Sequence, residues 1–476
     1  MFLAAVLVYL GLLALAGLWR ARRLQTGDDF LVAGRTLPAR VLVFTLLATW
    51  IGSGSLFGGA GLGYRVGFPA LWQSAGAWVG IALIYFIAPR VRRIALYTVP
   101  DILELRYGPA ARVLGTLTIV IAYTTIAAYQ FRGGGRLLSL VAEIDPGTGA
   151  LITAAFCVLY TAMAGMLSVA YLDIANGVMM TAGVGLAVGF LVAHAGGPGP
   201  ALAALRPDQV SLFGRLDPVS DALALFLPTM FLLLGEANMY QKFFSARNEW
   251  AARYAVVGWI AGTVLVETLI DSVGVFGSVV VPGLDTAQSE AIVIRVAVDV
   301  LPRVLGILLV CGAAAIIVST ANSFLLTPAT NLMRDVYQRF VNPRATDRQV
   351  LLYTRLLVLL LGAAGFVSLQ FFTTILQMAL WAYTMYGAVI TPPLLAAFVW
   401  PRATRQGAVA AMAVGMIVTI GWETYAKLQG TTGEPIYPLG LPTIYPALVL
   451  SVLILLGVSL VTTARPGAER LAAGRS

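Results

Sequence analysis

The sequence predicts an all-α polytopic membrane protein with about thirteen transmembrane helices, and three observations carry that reading. Of its 476 residues, 59% are hydrophobic and 11% charged, with a mean hydropathy of +0.86, whereas a soluble globular domain carries about 25% charge. Runs approaching the ~20 apolar residues needed to cross a bilayer recur near 2–19, 40–62, 68–89, 113–138, 149–167, 174–195, 219–241, 254–281, 299–327, 350–369, 374–400, 406–425 and 441–463. The basic residues gather on alternate loops between those runs.

The first run lacks a positive n-region and is followed by WRARRL rather than a small-residue cleavage site, so it reads as a retained helix and not a signal peptide. Arg20, Arg22, Arg23, Arg35 and Arg40 follow it; Arg90, Arg92, Arg93, Arg106 and Arg112 follow the third run; Lys242, Arg247 and Arg253 follow the seventh. Arg334, Arg339, Arg344, Arg348 and Arg355, then Arg402 and Arg405, then Arg465, Arg470 and Arg475 fall on the same side. The opposite loops hold Arg65, Arg206, Arg215, Arg295, Arg303 and Lys427. Positive charge stays cytoplasmic, which places the amino terminus outside and the carboxyl terminus in the cytoplasm of a cell-membrane protein. The net charge of +9 is that bias, not a nucleic-acid surface. Cys157 and Cys311 lie inside apolar runs and write no disulfide framework. With His194 as the single histidine, sites built on a histidine pair or a histidine base have little material, which argues against an intramembrane enzyme.

Transporter folds often contain an inverted repeat whose first helices are broken near the midplane. The second run, TLLATWIGSGSLFGGAGLGYRVG, holds Gly52, Gly54, Gly58, Gly59, Gly61 and Gly63, which make a continuous helix costly. The seventh, ALFLPTMFLLLGEANMYQ, is interrupted by Pro228, Gly235 and Glu236. The two breaks lie five helices apart. Since lipid cannot satisfy freed backbone groups, paired breaks point to a binding site.

A charge at the centre of a membrane helix costs at least about 2.5 kcal/mol, so each one is a functional candidate. Arg132 and Arg136 lie in AYQFRGGGRLLSL, Asp173 opens the sixth run, Glu236 stands at the second break, and Glu267 and Asp271 share a helical face at i, i+4 in VETLIDSVG. Arg132 either holds a substrate carboxylate, snorkels outward, or pairs with Glu236 or Glu267; Arg136, nearer the surface, reads as a snorkeler. Glu267 and Asp271 are placed to take a proton, a cation or a substrate ammonium, or simply to line a wet vestibule. In AAAIIVSTANSFLLTPATNLMRDVY, Ser319, Thr320, Asn322 and Ser323 cluster on an otherwise apolar helix. Neutral oxygens of that kind suit a hard cation such as sodium.

The segments FLVAGRTLPARV, YTVPDILELRYG, MAGMLSVAYLD, YQKFFSA, IIVSTANSFLLTPATNLMRDVY and WPRATRQGA, in this order and spacing, resemble the sodium:solute symporter family, and the resemblance covers nearly the whole chain. It implies a LeuT-like core of two inverted five-helix repeats with broken first and sixth core helices. On that pattern residues 1–38 are an extra helix and cytoplasmic loop, 39–195 the first repeat, 196–218 an external loop, 219–400 the second repeat, 401–465 two C-terminal helices and 466–476 a cytoplasmic tail. The family's principal sodium site maps onto Ala48, Ile51, Ile316, Ser319 and Thr320. A second sodium, or a proton, maps onto Asp173 with Ser319, Asn322 and Ser323, Asn322 standing where such relatives carry a serine. Substrate positions map onto Ser53, Ser55, Gln73, Arg132 and Asn238. Sugar-transporting relatives carry an acid where this chain has Gln73.

The resulting expectation is a sodium-coupled secondary active symporter, not an enzyme. It imports a small, carboxylate-bearing solute (amino acid, monocarboxylate or sugar acid) by alternating access, with Na+ as coupling ion and no organic cofactor. Glu236 and Glu267 keep an ammonium group, and hence amino acids, in play. A sodium/sugar symporter and a proton-coupled symporter of the same fold are the alternatives. The partners implied are the solute and the lipid bilayer, with no nucleic acid and no obligatory protein partner.

Overall fold

The computed structural model describes residues 1–21, 35–94, 96–163, 166–430 and 435–463, and the backbone alone for 16–21 and 166–172. Arg22, Arg23, Arg465, Arg470, Arg475, the first residues of FLVAGRTLPARV and the tail 466–476 lie outside the described residues, and nothing is described of the Arg20 side chain.

Among the described residues, ten helices are long and apolar enough to cross a membrane, two further spans are bent pairs of helices, and a shorter apolar helix opens the chain. These segments fall on the thirteen expected runs in order. The first is α1 (Phe2–Ala21). The first bent pair joins α2 (Ala39–Trp50) to a π-helical turn, Gly54–Gly59, and α3 (Ala60–Val66), with a bend of 52°. The second joins the span ending in α4 (Leu71–Ile84) to α5 (Ala88–Ile94) at 56°. A short helix, α6 (Val99–Tyr107), precedes α7 (Pro109–Ala142), α8 (Pro146–Met163) and α9 (Met166–His194). The second half continues with α10 (Leu223–Gly235), α11 (Ala237–Ser245), α12 (Glu249–Val280), α13 (Arg303–Asn331) and α14 (Asp347–Ser368). It closes with α15 (Ile375–Val389), α16 (Thr391–Val399), α17 (Arg405–Gln429) and α18 (Ile444–Val461).

The two breaks have matching geometry. Ile51 leaves α2 with φ −69° and ψ 116°, and Glu236 leaves α10 with φ −64° and ψ 116°. Pro228, expected to contribute to the second break, stays inside α10; the chain turns at Glu236 instead. A broken helix frees its last carbonyls, and here side chains collect them. Tyr386 donates to Gly235 O at 2.6 Å and Tyr240 to Leu234 O at 3.1 Å. Glu236 then caps α11, accepting from Met239 N at 3.2 Å, where its negative charge suits the positive end of the helix.

Burial grades from centre to rim. The most apolar stretch of the span Arg303–Val341 is 78% buried and that of Ile375–Val399 is 89% buried, against 33% for the last span, Ile444–Val461. Central helices therefore pack against protein on all sides, while outer ones present leucine and valine to lipid. On the arginine-rich side, the ends of the two broken helices are tied by backbone: Leu37 N donates to Ser245 O at 3.1 Å and Arg247 N to Leu37 O at 2.9 Å. A charged cluster sits on the same side, where Arg112 pairs with Asp101, Glu104 and the fully buried Asp335.

Candidate ion and solute site

Two of the carbonyls proposed for sodium are those freed at the first break, and α13 reaches them directly. The Thr320 hydroxyl donates to Ile51 O at 2.9 Å and lies 3.3 Å from Ala48 O. This approach needs a glycine beside it: a Cβ on Gly52 would stand 2.9 Å from Thr320 Cγ2 and 3.0 Å from Gln130 Nε2. Three neutral oxygens from two helices thus converge on one point, the donor set a hard cation prefers. Ile316 is buried one turn earlier on α13. Ser319 departs from the expected arrangement, since its hydroxyl donates to Asp173 and not to the break.

The residues nominated for a second ion are brought near one another but each is engaged elsewhere. Asp173 accepts from Ser319 and, at 2.6 Å, from Thr45 Oγ1. Asn322 accepts from Thr161 on α8. Ser323 lies 3.1 Å from Thr49 Oγ1. The polar residues of α13 therefore radiate: Thr320 and Ser323 reach α2, Ser319 reaches α9, Asn322 reaches α8, and Thr327 reaches Asn238 on α11.

Beyond the break, successive residues meet different helices. Ser53 N donates to Gln130 Oε1 at 2.8 Å. Ser55 Oγ lies 3.5 Å from Glu267, whose carboxylate also accepts from the indoles of Trp50 at 2.8 Å and Trp78 at 2.9 Å. Asp271 accepts from Ser74 at 3.1 Å, and a Cβ on Gly59 would lie 2.9 Å from Asp271 Oδ1 and 3.9 Å from Gln73 Oε1. Trp50 and Tyr383 pack with ring centroids 5.9 Å apart, and the Tyr383 and Tyr129 hydroxyls are 3.1 Å apart. Among the described residues, neither Glu267 nor Asp271 forms an ion pair. Ser53 Oγ, Gln73 Oε1 and Gln130 Nε2 are buried without a hydrogen-bond partner among the described residues.

Four sequence candidates stand apart from this group. Arg132 donates to the carbonyls of Leu369 and Phe372, the latter at 2.8 Å, in the connection between α14 and α15. It neither snorkels free nor pairs with Glu236 or Glu267. Glu236 accepts from Tyr123 at 2.7 Å and serves as the α11 cap, so no solute ammonium is needed to satisfy it. Asn238 is bonded to Thr327. Arg136, read as a snorkeler, is ion-paired with the buried Glu290 at 2.6 Å. Sequence reasoning passed over Gln130, Trp50, Trp78, Ser74 and Tyr383. The signal for Gln130 was there, an amide inside an apolar run, but the charge two residues later drew the attention. Two residues are about 200° of helix, so Gln130 faces the break and Arg132 faces the opposite way.

The model of the sodium:solute symporter family matches residues 30–415. The chain is 27% identical over 476 residues to the osmoregulated proline transporter OpuE of Bacillus subtilis (strain 168), covering 96% of this chain and 94% of that protein. It is 28% identical over 454 residues to the sodium/pantothenate symporter of Escherichia coli (strain K12), covering 91% and 90%. In fold it is similar to a Na+-coupled sialic acid symporter solved in a substrate-bound, outward-open state (TM-score 0.79, 16% identity, 97% and 98% covered). It is also similar to MhsT in complex with L-phenylalanine (TM-score 0.54, 16% identity, 88% and 97% covered). With a match over most of its length, this multi-pass helical membrane chain belongs to the sodium:solute symporter family and is a transporter rather than an enzyme.

Proposed function

We propose that the chain imports a small zwitterionic amino acid together with sodium. The observation that carries this reading is the first break itself. Buried, unsatisfied polar atoms of Ser53, Gln73 and Gln130 lie along it, and two buried acids without a basic partner, Glu267 and Asp271, flank it. Buried polar groups are otherwise almost always satisfied, so such a set is suited to a ligand. The half-helix that begins at Ser53 presents its positive end, which favours a carboxylate. Glu267 and Asp271 favour an ammonium, and the Trp50 and Tyr383 rings supply apolar and cation–π contact. Relatives named as proline transporters support an amino acid.

Sodium sits in this reading between Ala48, Ile51, Ile316 and Thr320, with the Ser319 hydroxyl turning from Asp173 to join them on binding. It joins α2 to α13 and stabilises the outward-open state, to which the solute then adds. Coupling requires that each ligand bind more tightly in the presence of the other, typically by about 1–3 kcal/mol, after which one helix bundle rocks against the rest. The arginine-rich side is cytoplasmic, with the amino terminus outside. Residues 39–195 and 219–400 form the two repeats, each giving helices to the moving bundle and to the rest.

The test is thermal stability of detergent-purified protein in sodium against choline, across amino acids, monocarboxylates, sugar acids and sugars, since a ligand of the folded state raises the melting point. An amino acid that stabilises only with sodium, and no longer does so in Glu267→Gln or Asp271→Asn, is the expected result. Stabilisation by sugars, or by acids lacking an amine but not by amino acids, overturns the solute class. A response to pH with none to sodium replaces sodium coupling by proton coupling.

A further inference from the structure

Lys242 is a buried charge that the transport reading leaves unused. It lies on α11, 1% exposed, and its Nζ donates to Thr45 O at 3.1 Å and to Thr49 Oγ1. Both partners belong to α2, the half of the first broken helix on the arginine-rich side. A buried ammonium bonded only to neutral oxygens is expensive unless an opposite charge is close. Asp173, also 1% exposed, is that charge. Its own partners, Ser319 and Thr45, are neutral hydroxyls, and among the described residues no ion pair brings a cation into direct contact with it. Thr45 therefore stands between the two, giving its carbonyl to the ammonium and its hydroxyl to the carboxylate.

We infer that the Lys242 ammonium is the built-in counter-cation of the Asp173 cluster, so that this cluster takes no free ion and a single sodium, at the Thr320 site, accompanies each solute. Lysine suits the task as a compact point charge on a four-carbon stem. The stem enters from α11, whose end is held against the chain before α2 by the Leu37–Ser245 and Arg247–Leu37 backbone bonds. The oxygens around Asp173 are each engaged by a neighbour that an ion would have to displace: Asn322 accepts from Thr161, Asn176 accepts from Tyr9 at 2.5 Å, and Ser323 shares its hydroxyl with Thr49, which also receives Lys242. Glu236, the acid that caps this half-helix, is held by Tyr123 and the α11 amide end. The ammonium, two threonines, the aspartate and two α13 serines form one continuous polar seam from α11 through α2 to α9 and α13.

The inference rests on the sodium site proposed above, and counting bound sodium separates the two. Equilibrium binding of radioactive sodium to the purified protein is expected to give one ion per chain in the wild type and in Lys242→Arg. In Lys242→Met the uncompensated Asp173 recruits a second ion, raising the count to two. Lys242→Met with Asp173→Asn removes both charges and returns it to one. Two ions bound by the wild type, or one ion bound by Lys242→Met, overturns the inference. Binding of none overturns the sodium site on which it rests. Should Lys242→Met fail to fold, the double variant still decides, because a neutral seam that binds two ions contradicts the role given to Lys242.

Discussion

Thr320→Ala removes the hydroxyl together with the γ-methyl beside Gly52, and Thr320→Ser separates the two losses. In the structure that hydroxyl bridges Ile51 O at 2.9 Å and Ala48 O at 3.3 Å; in the proposed ion-bound form its oxygen is one of five ligands. An ordinary hydrogen bond contributes about 0.5–1.5 kcal/mol net, and one to a charged group about 1.5–3 kcal/mol. Loss of the ligand therefore weakens sodium binding about 10- to 150-fold, while the sodium-free protein loses only the neutral contacts to Ile51 O and Ala48 O and the methyl beside Gly52. Thr320→Ser keeps the oxygen and removes only the methyl that lies against Gly52, so it stays close to wild type. The assay is the sodium dependence of solute uptake into proteoliposomes, read beside the sodium-induced rise in melting temperature, which follows mass action. A Thr320→Ala protein whose sodium half-saturation equals that of the wild type would refute the site.

Arg132→Gln is expected to leave solute affinity unchanged while lowering stability by about 1–3 kcal/mol, because the guanidinium is spent on the carbonyls of Leu369 and Phe372; a tenfold rise in the KM for solute would instead restore Arg132 to the solute site. Asp335→Ala leaves Arg112 with Asp101 and Glu104 but strips a fully buried member from the cluster. Breaking such a buried ionic group costs about 3–5 kcal/mol. Thermal unfolding checks it, and a loss below about 1 kcal/mol would mean the cluster contributes little.

The fold was legible because membrane helices announce themselves by length and hydropathy, and because a glycine-dense run and a Gly–Glu pair five helices later are visible defects. Both breaks fall inside those stretches, at Ile51 and Glu236. Pro228 misled because proline in a membrane helix can be absorbed when neighbours satisfy the freed carbonyls. The site was less legible. Reading charge as function selected Arg132 and Glu236, yet a charge can be consumed by backbone carbonyls or a helix end, contacts between segments hundreds of residues apart that spacing does not encode. Trp50 and Trp78 were invisible for the reverse reason: each looks ordinary in an apolar run until the fold brings the Glu267 carboxylate to it.

The polar residues of α13 point in four directions, to α2, α9, α8 and α11. A helix that grips its neighbours all the way around cannot turn about its own axis or slide by a turn without surrendering several buried bonds at once. Its neighbours can each release one or two. Whatever motion carries solute across the membrane, α13 is then the element against which displacement is measured, and exchanging the Thr320 bonds for an ion changes how α13 holds α2 without moving α13.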